Sequence, residues 1–493
     1  MVATIYGGFL TPANATQYWS PYYRIDLYPN AQGILGLSVN GIPHQSLWPA
    51  DNPTKFGFYE QVYKWFPGKT FPRVLIVGAG SGTDVAVALA HGAGSIDAVE
   101  IDPEILAIGR ARHPDNPYAD PRVHPYINDG RAFLRTTTNK YDLVIFALPD
   151  SLTLVSSTAN LRLESFLFTD EAFASVRDHL NPGGMFVLYN TFRETWLVEK
   201  LASQLTTVFG QAPLVRTYRS AQVAFAAGPG AAATHGHPPG DKTDPMPVVG
   251  SPEPRQATDD WPFLYLREPF IAPYYLAALG FLLLLSTLGT WLAGRRAGPV
   301  VGGFSPHFFA LGAAFLLLET KSLVTFSLLF GTTWLVNALV FFAILGSVLV
   351  AIGVTSWLRP RRSWPLYVCL AVSLAIAYLL PAEQLLIDPA WLRYVVAAAV
   401  AFAPVFFANL VFTYSFRDVR AADMAFASNL LGAMIGGVLE YLALLTGYRF
   451  LILVVAGLYA LAYLLGARWR ILADRTLESG VPHPAALPAG ASD

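Results

Sequence analysis

From Phe270 onward the chain runs through one apolar stretch after another, and no other feature of the sequence restricts the fold as tightly. Seven stretches, at 270–294, 306–330, 333–357, 364–381, 391–416, 424–446 and 448–466, reach or approach the roughly 20 apolar residues that carry a helix across a bilayer. Tyr274, Tyr275, Trp334, Trp357, Trp364, Trp391 and Trp469 stand at their ends, as in the aromatic belts of membrane–water interfaces. The fourth stretch is short and stops at Pro381. Composition agrees: charged residues make up 14% of the 493 and mean hydropathy is +0.42, whereas soluble chains carry about 25% charged residues. This hydrophobicity excludes a mainly disordered chain. The net charge of −1 offers nucleic acid no global basic field. Cys369 is the single cysteine, which excludes an internal disulfide and any multi-cysteine metal site.

The N-terminal part has a different solvent. Residues 1–70 read as a short β-rich segment and 71–225 as a Rossmann-like α/β domain. An Ala/Gly/Pro-rich flexible linker is predicted at 226–262, an all-α transmembrane bundle of about seven helices at 263–470, and a polar tail at 471–493. Loop charge orients such a bundle. Arg295, Arg296, Arg359, Arg361, Arg362, Arg417, Arg420, Arg468, Arg470 and Arg475 collect on one side, against Arg267, Arg393 and Arg449 on the other. The positive-inside rule places the larger group in the cytoplasm and, with one crossing before Arg295, the α/β part on the opposite face. Residues Met1–Trp19 have no basic region followed by an apolar core, so they do not read as a signal peptide.

The chemistry concentrates in RVLIVGAGSG at 73–82, an apolar strand that breaks into Gly78, Gly80 and Gly82 and continues as the helical TDVAVALAHG. Glycines there permit a tight turn and let a ligand approach the backbone. A second strand, SIDAVEID, brings Glu100 18 residues after Gly82, where an acid can accept both hydroxyls of an adenosine ribose. Further strands end in Asn128-Asp129-Gly130 and in Pro149-Asp150-Ser151. Ligands of open α/β sheets bind beyond the strand carboxyl ends, so Glu100, Asp129 and Asp150 on one edge mark a candidate site.

Through VLIVGAGSGTDV, VEID, DPRV…NDGRAFL, YDLVIF…D and Phe58–Glu60, residues 20–225 resemble the spermidine synthase-like branch of the S-adenosylmethionine-dependent methyltransferase superfamily. TDDWPFLYL, LLLETKS and LFGTTWLVNA are similar to segments of bacterial multi-pass membrane proteins bearing such a domain. The resemblance implies that Gly78, Gly80, Ser81 and Gly82 wrap the amino-acid portion of S-adenosylmethionine or its decarboxylated form. Glu100 would hold the ribose, Asp129 and Gly130 would meet the adenine, and Gln45 (or His44) would stand at the family's upstream glutamine. It further implies location in the bacterial inner membrane, a small cationic amine as second substrate, no metal and a possible homodimer. A cytoplasmic co-substrate conflicts with the loop-charge orientation unless the span count is off by one or further spans precede the soluble part.

The departures are specific. Ser81 replaces an acid that favours the decarboxylated co-substrate, Ala147 replaces the first aspartate of the fourth strand, and Phe58 stands at the family's tyrosine. An amine must lose a proton before it attacks a sulfonium-activated carbon; Asp150 and Glu60 are the candidates to share that work. Asp259 and Asp260 either close over the site or cap the first span. Within the apolar stretches, Glu319 and Lys321 point roughly 200° apart at about 100° per residue, so each needs an outside partner, Glu440 being the candidate for Lys321. Gly432, Gly436 and Gly437 form a small-residue face for close helix packing, while His235 and His237 read as solvated. Two functional classes follow. One is a membrane-bound transferase, moving an aminopropyl group to a polyamine or a methyl group to another acceptor. The other is a non-catalytic cofactor or polyamine sensor coupled to a membrane transporter.

Overall fold

Short strands separated by Asn- and Gly-containing turns open the chain. β1 (Thr16–Trp19), β2 (Arg24–Pro29), β3 (Leu35–Val39) and β4 (Ile42–Ser46) form an antiparallel sheet in that order. The structure, a computed structural model, describes residues 14–30, 33–53, 55–148, 165–192, 194–218, 221–232, 244–245, 254–296, 304–380, 385, 390–417, 419 and 422–468. A short helix, α1 (Gln61–Trp65), leads into the second sheet. Its strands β5 (Arg73–Val77), β6 (Ser95–Glu100), β7 (Val123–Ile127), β8 (Tyr141–Ala147) and β9 (Leu180–Thr191) run parallel, and β10 (Leu214–Thr217), β11 (Gln222–Ala227) and β12 (Asp244–Pro245) complete it antiparallel.

The sheet order is β12-β10-β11-β9-β8-β5-β6-β7, a Rossmann-like, methyltransferase-type arrangement. The helices α2 (Thr83–Ala90), α3 (Pro103–Arg112), α4 (Gly130–Thr136), α5 (Asp170–Asp178) and α6 (Thr195–Phe209) join the strands. Val, Ile and Leu face both sides of the central strands because helices cover both faces, which accounts for continuous rather than alternating apolar runs. The N-terminal sheet lays Ile25, Leu27, Leu37 and Val39 on Ile105 and Ile108 of α3, which fixes β4 above the glycine turn. Chain order reverses between β5 and β8, opening a crevice at their carboxyl ends.

Among the described residues seven long helices follow, α7 (Pro273–Arg296), α8 (Pro306–Phe330), α9 (Trp334–Leu358), α10 (Trp364–Leu379), α11 (Ala390–Phe416), α12 (Ala422–Leu439) and α13 (Tyr448–Arg468), with a short turn of helix at Ala443–Thr446. Among the described residues five helical segments are long and apolar enough to cross a membrane, and α10, at Trp364–Leu379, is shorter. The predicted small-residue face packs α12 on α8: a Cβ on Gly432 or Gly436 would run into the carbonyls of Phe309 and Ala313, and one on Gly312 into that of Asn429. The predicted Lys321–Glu440 pair is replaced. Lys321 donates to Thr325 Oγ1 one turn along its own helix (2.6 Å), and it is the adjacent Thr320, about 100° round the helix, that reaches Glu440 (3.4 Å).

Composition predicts a flexible linker at 226–262, yet residues 254–268 are folded between the two parts, with Trp261 fully buried. His235, His237 and the tail at 471–493 lie outside the described residues. Asp259 neither closes over the crevice nor caps the first span. Its carboxylate accepts from Arg131 (3.1 Å), Arg135 (2.9 Å) and Thr169 (2.7 Å), all in the α/β domain. Asp260 turns the other way: its carboxylate accepts the backbone N–H of Arg449 (2.6 Å) and its carbonyl that of Tyr448 (2.9 Å), capping the start of α13 from outside. Trp261 Nε1 donates to the Leu444 carbonyl (2.9 Å). The end of α8, the start of α9 and the start of α13 therefore meet the α/β domain, and the arginine-bearing ends at Arg296, Arg359 and Arg417 lie at the far end of the bundle.

Replacing Asp259 with Ala strands two nearly buried guanidinium groups. A loss of about 3–5 kcal/mol is expected for breaking such a buried pair from one side, read as a lowered unfolding midpoint of the purified full chain; an unchanged midpoint would show that the joint is dispensable.

Candidate active site

The crevice begins where β5 runs out of side chains. Gly78, Gly80 and Gly82 all take positive φ (79°, 55° and 105°), and Gly82 starts α2. At Gly82 the requirement is steric as well, since a Cβ would stand 2.8 Å from Pro117 Cγ and 3.0 Å from Tyr118 Cε2. Tyr118 locks the turn by donating to the Gly80 carbonyl (2.7 Å). From the N-terminal sheet, Gln45 Oε1 accepts the Ser81 N–H and hydroxyl (both 2.9 Å).

Glu100 ends β6 beside the turn. Its Oε2 accepts the Gly80 N–H (2.7 Å) and its Oε1 the Asp102 N–H (2.9 Å). Burial lifts its carboxyl to about 7, against the pull of those N–H groups. Asp102 caps α3, accepting from the Glu104 N–H (2.9 Å) ahead of Pro103, and also takes the Ser20 hydroxyl (2.6 Å). Asp129 likewise caps α4 through Oδ1 and the Ala132 N–H (2.9 Å). Its Oδ2 is taken by the helical bundle: Thr332 donates both its N–H (3.2 Å) and its hydroxyl (2.7 Å) from the α8–α9 turn.

Gly78, Gly80, Glu100, Asp129, Gly130 and Gln45 thus line one cleft, with Ser81 and Gly82 in the turn behind it. Glu60 is elsewhere. Its carboxylate is held by Lys55 (2.9 Å) and His91 (2.7 Å) and is absent from the cleft lining. Burial opposes its ionisation, but those two partners keep the carboxyl below its ordinary range. The neighbouring Tyr59 lines the cleft in its place. Asp150 lies outside the described residues.

Three cleft residues escape a reading of the sequence. Asp84, in the first turn of α2, is nearly buried and accepts the Tyr189 hydroxyl; burial lifts its carboxyl to about 8. The one available signal was an acid inside the apolar run that follows the glycines. Asn190 is buried, with its Oδ1 accepting the Thr191 N–H (2.7 Å) and its Nδ2 without a partner among the described residues. Leu148, just past Ala147, is held at φ 44°, a conformation uncommon for leucine.

A glycine turn beneath an N-terminal sheet, an acid at the next strand tip and an acidic cleft at the switch point agree with one family model, the spermine/spermidine synthase domain, which matches residues 60–232. The chain carries a spermidine synthase-like domain. Polyamine aminopropyltransferases of Korarchaeum cryptofilum and Alkaliphilus oremlandii are 30% identical over 121 residues and 33% over 174 residues. These matches cover 24% and 34% of this chain, and 35% and 56% of the relatives. The chain therefore spans about a third to just over half the length of the curated relatives it matches. A crystal structure of spermidine synthase in complex with the transition state analogue AdoDATO aligns at 20% identity and a TM-score of 0.35, covering 44% of this chain and 72% of that one.

Glu100 and Asp84 in the spermidine synthase-like domain set a pH dependence. Both carboxyls are raised in the fold, from 4.5 to about 7 and from 3.8 to about 8. Their contribution to stability is complete below about pH 4, where folded and unfolded chains are both protonated, and declines as pH rises through 7 to 8. Unfolding midpoints across that range are expected to fall less steeply in Glu100→Gln and Asp84→Asn than in the unmodified protein; parallel curves would refute the assignment.

Proposed function

We propose that the protein is a membrane-embedded transferase that moves the aminopropyl group of decarboxylated S-adenosylmethionine to a small amine. One observation carries this reading. The cleft is lined by Asp84, Glu100, Asp102 and Asp129 and, among the described residues, by no lysine or arginine. Such a lining attracts a sulfonium and an ammonium and repels a carboxylate, so it favours the decarboxylated co-substrate over S-adenosylmethionine itself. The relatives named above, polyamine aminopropyltransferases, support the same reaction class.

In this reading the Glu100 carboxylate accepts the ribose hydroxyls. It has about four lone-pair sites, and the two backbone N–H groups occupy two of them. The turn at 78–82 receives the sulfonium end, and Asp129 with Gly130 borders the adenine. Asp150 belongs to the acceptor side. A second reading, methyl transfer from S-adenosylmethionine, is favoured by one residue: Ser81, hydrogen-bonded to Gln45, puts no carboxylate within the glycine turn.

Calorimetric titration of the full chain separates the two. The decarboxylated form is expected to bind more tightly than S-adenosylmethionine and to yield an aminopropylated product with putrescine. Glu100→Ala should weaken binding by roughly 10- to 100-fold, the loss of charge-assisted hydrogen bonds worth about 1.5–3 kcal/mol. Preference for the carboxylated form would select methyl transfer, and no binding by either would leave the sensor reading.

The bundle is read as the membrane domain of a bacterial inner-membrane protein. With the arginine-rich helix ends opposite the α/β domain, loop charge supports an extracytoplasmic cleft, whereas a co-substrate made in the cytoplasm supports the opposite face. In a Cys369→Ser background, a Trp19→Cys variant places a thiol at a site 70% exposed on that domain. Labelling of intact spheroplasts by a membrane-impermeant maleimide is expected; protection until lysis would place the domain in the cytoplasm.

A further inference from the structure

Ala147 stands where an aspartate would end β8, and Asp150 lies outside the described residues, so among the described residues the end of β8 offers no carboxylate to the amine chemistry proposed above. The opposite wall supplies one. Asp84 projects from the first turn of α2 into the cleft that Ala147, Leu148, Tyr59 and Asn190 also line. Its side-chain partner is the Tyr189 hydroxyl, a neutral donor, and among the described residues no basic side chain pairs with it. A buried carboxylate without a counter-charge is expensive unless a ligand brings one. The unpartnered Asn190 Nδ2, next in sequence to Tyr189 and itself buried, is a second group whose hydrogen bonding only a ligand completes.

We propose that Asp84 receives the acceptor amine: it holds the ammonium form in the cleft and takes its proton before transfer, while Tyr189 fixes the carboxylate. This rests on the transferase reading. The ammonium gives one proton to the Asp84 carboxylate, and the freed lone pair attacks the propyl carbon bonded to the sulfonium sulfur. The C–N bond forms as the C–S bond breaks. Its electron pair stays on sulfur, leaving a neutral thioether, and the product nitrogen carries the positive charge until its own proton departs. Burial lifts the Asp84 carboxyl to about 8, which suits the group to exchange a proton with an amine.

The test compares the unmodified full chain with Asp84→Asn, which preserves shape, and Tyr189→Phe, which leaves the acid in place. Readouts are product formation from decarboxylated S-adenosylmethionine and putrescine, and co-substrate affinity by calorimetry. Asp84→Asn is expected to lower kcat/KM for putrescine by at least roughly 100-fold, the range of a positioned base, with co-substrate affinity changed by less than about threefold. Tyr189→Phe should lie between the two. Turnover by Asp84→Asn within about threefold of the unmodified chain overturns the proposal. So does a loss confined to co-substrate affinity, which would make Asp84 part of the donor site. No turnover by the unmodified chain sinks the transferase reading itself, and this assignment with it.

Discussion

The Asp259 carboxylate, closed in by Arg131, Arg135 and Thr169, is the joint on which the arrangement of the molecule depends. Two guanidinium groups four residues apart on α4 present the same face, so one carboxylate serves both. Neither cation would be tolerable at that depth alone. The next residue, Asp260, is committed to the start of α13, so two consecutive aspartates grip two different bodies. Lys200 supplies a parallel clamp. Fully buried, it donates to the carbonyls of Phe263, Leu264 and Leu266 at 2.9–3.1 Å, and Trp261 stacks between it and Arg255. Burial lowers the ammonium to about 7, against the pull of the Asp170 charge.

The same helix α4 also belongs to the cleft. Asp129 at its N-terminus lines the cleft and takes the Thr332 hydrogen bonds, while Arg131 and Arg135 occupy its following turns. Cleft wall, interdomain joint and bundle contact thus share seven residues of backbone, Gly130–Thr136, and cannot shift independently. The Arg135 guanidinium adds a bond to the Leu328 carbonyl at the end of α8. A displacement of the α8–α9 turn would have to be accommodated at Asp129 or break these contacts.

Local signals made the α/β domain legible. The strands announce themselves as apolar runs, the turn as Gly78, Gly80 and Gly82, and the tip of β6 as Glu100. What escaped was decided by distant partners. Glu60 reads as a site acid until Lys55 and His91 draw it away. Asp84 carries no mark in the sequence beyond its apolar neighbours, and its partner Tyr189 comes from β9, 105 residues along the chain. Composition marks 226–262 as linker because Ala, Gly and Pro carry no periodicity; order at 254–262 comes from Asp259, Asp260 and Trp261, each of which finds its partners in another element.

The bundle is therefore more than an anchor to the cleft. Gly331 at φ 91° lets the α8–α9 turn come so near that a Cβ there would lie 2.7 Å from Asp129 Cβ. Thr332 then gives two hydrogen bonds to a carboxylate that is only 4% exposed. Without that turn, Asp129 would keep its cap to Ala132 but leave its second oxygen buried beside no donor, or open the cleft to water. Buried acids of this kind are costly unless their lone pairs are met. An acidic cleft that is to hold a cation gains most when each carboxylate not aimed at the ligand is already satisfied by protein. Asp102 is satisfied by Ser20 and the start of α3, Asp129 by the helical bundle, and that leaves Glu100 and Asp84 as the acids with capacity to spare for what binds between them.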